Sequence, residues 1–174
     1  RGGGKLRILL VAYIFPPMNS IGSHRPYGWA RAWRDLGHDV HVLTPAKHSF
    51  DGPMDLERDL SGISVHQVDY LPVGRVDPDA HSGVASAGAR RWERFKAATR
   101  RARFSLSMFG DPRLLAYSAL VREGLQLVRS RGIDLIVATS PPEVSFFAAR
   151  ALSRRTGIPW VADFRALRFR DMRL

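Results

Sequence analysis

The stretch LRILLVAYIFPPMNSIGSHRPYGWARAWRDLGHDVHVLT, Leu6–Thr44, decides the fold. Leu6–Ala12 is almost continuously aliphatic, the pattern of a short strand buried on both faces of a parallel sheet. Pro16 and Pro17 cannot continue a central strand, so a loop opens at Tyr13 and runs through Asn19-Ser20-Ile21-Gly22-Ser23. His24–Leu36 then carries Tyr27, Ala30 and Trp33 at the three-to-four spacing of a buried helical stripe. Pro26 is tolerated in a first helical turn, which makes Ser23 the expected N-cap. Gly37 supplies the stop, and Asp39–Thr44 reads as a second strand ended by Pro45. Strand, loop, helix, glycine, strand is the signature of a βαβ unit.

Working outward, Ile63–Val68 reads as a third strand. Leu71–Gly88, rich in Pro, Gly, Asp and Ser, reads as a mobile loop. Ala89–Met108 has the pattern of a basic amphipathic helix. Arg90, Arg91, Arg94, Lys96, Arg100, Arg101 and Arg103 surround a thin stripe of Trp92, Phe95, Ala98, Ala102 and Leu106. Asp111 is the expected N-cap of a helix reaching about Arg129, with Gly132 as its stop. Ile133–Ala138 is a fourth strand, running into Thr139-Ser140-Pro141-Pro142. Glu143–Thr156 is a helix closed by Gly157, and Ile158–Asp163 is a fifth strand. The alternation predicts an α/β fold with a doubly wound parallel sheet, Rossmann-like, in one domain spanning 1–174.

Composition supports this and narrows the chemistry. The 174 residues are ample for one domain and short for two, and 45% are hydrophobic, enough to build a core. The absence of cysteine excludes disulfides, thiolate metal sites and cysteine nucleophiles, and fits a cytoplasmic protein. No apolar run approaches the ~20 residues that span a bilayer. The start, Arg1-Gly2-Gly3-Gly4-Lys5, shows no signal-peptide pattern. Lys plus Arg is 27 against 16 for Asp plus Glu, a net charge of +11. That balance attracts anions, whether nucleic acid, anionic lipid or phosphorylated substrate, although arginine on solvated faces gives the same count.

Ligands of open α/β sheets bind beyond the carboxyl ends of the strands. That rule selects Tyr13–Arg25, Thr139–Pro142 and Asp163–Arg165. Gly22 and Ser23, with Asn19 and Ser20, can bring backbone N–H groups to an anion at the start of the following helix, and Arg25 adds a cation there. Thr139, Ser140 and Arg165 complete the set of candidate substrate-binding residues. His24 is a candidate base or hydroxyl ligand. Asp163, the one carboxylate at a strand's carboxyl end, is either a candidate acceptor for a substrate hydroxyl or a partner in an ion pair or cap. The dinucleotide and Walker glycine patterns are absent, as is the G-x-S-x-G elbow. No histidine pair has metal-ligand spacing, so no metal site is expected. His38 reads as structural, His41 and His66 as packing residues, and His48 and His81 as loop residues.

Ile8–Val11 followed by Phe15-Pro16-Pro17, then Gly22, Arg25-Pro26 and Leu36–Thr44, and later Asp134–Pro142 and Thr156–Arg165, resemble in order and spacing the N-terminal domain of GT-B glycosyltransferases of family 4, particularly those of cell-surface polysaccharide and capsule assembly. The resemblance implies two Rossmann-like domains facing a cleft. The N-terminal one binds the acceptor, and a C-terminal one, absent from this chain, binds the nucleoside diphosphate sugar. It implies transfer with retention, no cofactor or bound metal, a glycan or lipid-linked acceptor, and no activity from this half alone. The sequence departs from similar proteins after Asp163-Phe164-Arg165, where Ala166-Leu167-Arg168 replaces an Asp followed by Pro-Trp. Arg90, Arg91, Trp92, Arg94, Phe95 and Lys96 are candidate membrane contacts for a protein peripheral to the inner face of a membrane. The competing reading is a non-enzymatic basic module binding anionic membrane or nucleic acid. Nucleic acid is the less favoured partner, because Trp92 and Phe95 fall on the packing stripe.

Overall fold

The computed structural model describes residues 4–48, 51–70 and 112–165. At its centre lies β1 (Arg7–Ala12), flanked by β2 (Asp39–Pro45) and β4 (Leu135–Ser140), with β3 (Ile63–Val68) and β5 (Trp160–Phe164) at the edges. The order is β3-β2-β1-β4-β5 and every pairing is parallel. Leu10 is in register with Val42 on one side and Val137 on the other. A strand so enclosed buries both faces, which is why β1 is aliphatic throughout instead of alternating. The strand order reverses direction between β1 and β4, and this switch point opens a crevice at the carboxyl end of the sheet.

Helix α1 (Ile21–Asp35) covers one face, where Tyr27 and Ala30 pack on Ile8, Leu10, Val40 and Val42. Helices α2 (Tyr117–Arg131) and α3 (Val144–Thr156) cover the other. There Leu120, Leu127, Phe146, Ala149 and Leu152 bury Leu9, Val11, Leu43 and Ile136. Both α2 and α3 end on glycines in the left-handed region, Gly132 (φ 61) and Gly157 (φ 75), as the sequence predicts. At the amino end of the sheet, Arg7 holds Asp134 through two guanidinium hydrogen bonds of 3.1 and 3.0 Å, and His38 Nδ1 accepts from the Leu6 amide.

Several boundaries differ from the sequence reading. Helix α1 begins at Ile21, with Ser20 rather than Ser23 as its N-cap; Ser20 accepts from the Gly22 amide at 3.2 Å. Pro26 therefore sits in the second turn. Thr139 and Ser140 are the last residues of β4, not of the loop after it. The helix expected from Asp111 opens as a 3-10 turn, Pro112–Ala116, and becomes α-helical at Tyr117. Asp111 itself, His81, the Leu71–Gly88 loop and the basic segment Ala89–Met108 lie outside the described residues.

Candidate functional site

The site is built where the first turns of α1 meet the carboxyl ends of β4 and β5. Proline has no N–H, so Pro26 cannot donate to the Gly22 carbonyl one helical turn before it. The side chain of Arg165 takes that place, its Nη1 donating to Gly22 O at 2.9 Å. The same guanidinium donates from Nε to Ser140 O at 3.3 Å and from Nη2 to Pro141 O. One cation thus binds three carbonyls, one from the first turn of α1 and two from the end of β4 and the residue after it. Burial lowers the pKa of Arg165; Asp163 opposes this and Arg25 adds to it. Gly22 leaves room for this close approach: a Cβ there would displace Arg165 Nη1 and lie 3.1 Å from the Ile14 side chain.

Asp163 is the second node. It is in register with Thr139 across β4 and β5, and Thr139 Oγ1 donates to its Oδ2 at 3.1 Å. Its other oxygen lies 2.8 Å from Arg25 Nη2. The Asp163 side chain is 10% exposed and that of Arg25 50%. Arg25 also lies over the Trp29 ring, 5.0 Å from its centroid. The location of Arg25 needs correcting: it occupies the second turn of α1, not the first, and faces a carboxylate there.

The structure brings Gly22, Arg25, Thr139, Ser140, Asp163 and Arg165 together as two adjacent sets of contacts, Arg165 on the carbonyls of Gly22 and Ser140, and Asp163 on Thr139 and Arg25. Ser23 stands beside them but is fully buried, its hydroxyl donating to Met18 O at 2.5 Å. His24 is not joined to either set by a hydrogen bond or ion pair; it is exposed, with Nδ1 3.4 Å from Arg58 Nη2. His41 and His66 contact each other, Nδ1 to Nε2, at 3.1 Å within the sheet. Arg90, Arg91, Trp92, Arg94, Phe95 and Lys96 lie outside the described residues. Among the described residues no group of three His, Asp or Glu could hold a metal ion.

A polar cluster at the ends of β1, β2 and β3 was missed in the sequence. Lys47, buried, donates to Tyr13 O, to Thr44 Oγ1 at 2.8 Å and to Pro45 O at 2.9 Å. Burial pulls its pKa down to about 7, against the opposing field of Asp51. The Tyr13 hydroxyl donates to Asp51 at 2.9 Å and lies 2.9 Å from the Tyr70 hydroxyl; burial pushes the Tyr13 pKa up. The available signal was position, because Lys47 follows Pro45 at the carboxyl end of β2, where the same strand-end rule applies. Its three acceptors fix the point at which β1 becomes the first loop.

A family model described as the glycosyl transferase 4-like domain matches residues 23–173. The chain belongs to this family. Its match begins in the first turn of α1, one residue after Gly22, and includes Arg25, Thr139, Ser140, Asp163 and Arg165. No curated protein matches. Similar solved structures include the C-terminal domain of a hydrogenase from Pyrococcus furiosus, at 18% identity and TM-score 0.49, covering 92% of each chain. A glycosyltransferase from Rickettsia africae matches at 12% identity and TM-score 0.48, over 92% of this chain and 30% of that one.

Proposed function

We propose that this glycosyl transferase 4-like domain is the acceptor-binding half of a retaining glycosyltransferase. A second Rossmann-like domain would hold a nucleoside diphosphate sugar against it. The observation that carries this reading is the Arg25–Asp163 pair at the carboxyl edge of the sheet, a half-exposed guanidinium held by a nearly buried carboxylate. In this reading Arg25 neutralises charge on the donor diphosphate. Asp163 is freed to accept a hydroxyl hydrogen bond when Arg25 turns to an anion. Neither step calls on a cofactor or metal. The acceptor is a glycan or lipid-linked glycan of cell-surface polysaccharide assembly, hexosyl transfer is the reaction, and the protein works at the cytoplasmic side of a membrane, with Arg90–Lys96 as a contact. Among the described residues no helix is long and apolar enough to cross a membrane.

Kinetics of the whole enzyme test this. Arg25→Ala is expected to lower kcat/KM about 10²-fold, the scale of losing one preorganised charge-stabilising donor, with Arg25→Lys recovering part of it. Unchanged kinetics in Arg25→Ala and in Asp163→Asn would remove this unit from the reaction. The 174-residue chain alone is expected to bind UDP or GDP sugars weakly and to transfer nothing; micromolar donor affinity by calorimetry would contradict the division between halves.

A further inference from the structure

Helix α3 presents a stripe that its packing does not explain. Phe146 is buried under the sheet, but its neighbour Phe147 is 51% exposed. Phe147, Arg150, Ala151 and Arg154 recur at the spacing of one helical face, with Arg155 beside them. Across from them Leu114 and Tyr117 complete a groove of about 600 Å3, open to solvent and without an acidic residue in its lining. Leu115 is exposed nearby. Over α2 and α3 the cations are Arg122, Arg129, Arg131, Arg150, Arg154 and Arg155, against two carboxylates, Glu123 and the α3 N-cap Glu143. Among the described residues Arg150, Arg154 and Arg155 make no ion pair, and Arg150 and Arg154 repel across one turn.

We infer that this outer face of α3 docks on an anionic lipid bilayer. Leu114, Tyr117 and Phe147 enter the interface while Arg150, Arg154 and Arg155 meet lipid phosphates. Apolar anchors ringed by unpaired cations are what an interfacial surface requires. A second copy of the chain would present the same sign of charge. Single-stranded nucleic acid could stack on Tyr117 and Phe147, but the aliphatic Leu114, and Leu115 beside it, add apolar surface that suits acyl chains better than bases, and RNA is an outcome of the test. Both helices run antiparallel to the strands, so the apolar anchors lie toward the carboxyl end of the sheet, on the side of the Arg25–Asp163 site. This docking does not depend on the sugar-transfer reading.

The chain has no cysteine, so Phe147→Cys can carry a single polarity-sensitive label, with exposed Ala32→Cys on α1 as the control on the opposite face. With vesicles of phosphatidylcholine containing about one third phosphatidylglycerol, the label at 147 is expected to shift to the blue. The label at 32 should not shift, phosphatidylcholine alone should give no shift at either position, and salt should reverse the effect. In co-sedimentation the triple variant Arg150→Glu, Arg154→Glu, Arg155→Glu is expected to lower vesicle affinity at least about tenfold at an unchanged thermal midpoint. Absence of the shift at 147, an equal shift at 32, equal binding to neutral vesicles, or wild-type binding by the triple variant would each overturn the assignment. So would an RNA that shifts the label when vesicles do not.

Discussion

The two faces of the sheet use the same residue in opposite ways. On α1 the arginines are matched: Arg25 to Asp163 at 2.8 Å, Arg31 to Asp35 at 3.8 Å, and Arg34 to Asp35 at 2.9 Å and Asp59 at 3.4 Å. On the opposite face the six arginines of α2 and α3 make no ion pair among the described residues. A net charge of +11 therefore describes neither face. The matched cations hold chain segments together, and the unmatched ones contribute only to the surface field.

The sharpest way to break this contrast is to remove one partner on each side. Asp163→Ala strands the Arg25 charge and leaves Thr139 without its acceptor, so it is expected to cost about 1–3 kcal/mol in denaturant unfolding. Arg154→Ala should stay within about 0.5 kcal/mol of wild type. Equal losses would mean that the two faces do not differ. A smaller effect tests the Gly22 carbonyl. Pro26→Ala restores the N–H that Gly22 O lacks, so Arg165→Gln should cost about 1 kcal/mol less in the Pro26→Ala background than alone. Additive losses would show that Arg165 does not serve that carbonyl.

Lys47 belongs to neither class, being a buried cation held by carbonyls and a hydroxyl. Its pKa is pulled from 10.5 to about 7 by burial, so between those values the unfolded chain keeps a proton that the folded chain has released. Its contribution to stability is therefore lowest below pH 7 and rises as the pH climbs from there toward 10. Urea midpoints at about pH 7 and pH 9 should rise in wild type and be flatter in Lys47→Met. Tyr13, with its pKa raised, acts in the opposite direction only at higher pH. The smallest effect concerns the unmatched face, where the Arg150–Arg154 repulsion is worth about 0.2–0.5 kcal/mol. Arg150→Ala should recover part of it at low salt and none at high salt.

The sheet was legible because its signals are local. Burial on both faces writes itself into Ile8–Val11 and Val40–Leu43, and the left-handed caps require Gly132 and Gly157. The start of α1 was misread because the rule confining proline to a first turn assumes that the freed carbonyl finds no other donor. Arg165, 143 residues away, supplies one, and no local window contains that fact. The strand-end rule selected Arg25, Thr139, Asp163 and Arg165, but not which atoms would meet. Lys47 was passed over because a lysine in a polar stretch looks solvated until the packing around it is known.

The contacts that complete the first loop also set an order of events during synthesis. When β1, α1 and β2 have left the ribosome, Gly22 still lacks its donor and Arg25 its acid, because both arrive with β5 and the residue after it. The amino-terminal βαβ unit can collapse early, since Tyr27 and Ala30 have the β1 and β2 core beneath them. The crevice above it acquires its final shape only when Asp163 and Arg165 emerge, so in a nascent chain the site is assembled after the scaffold that carries its first half.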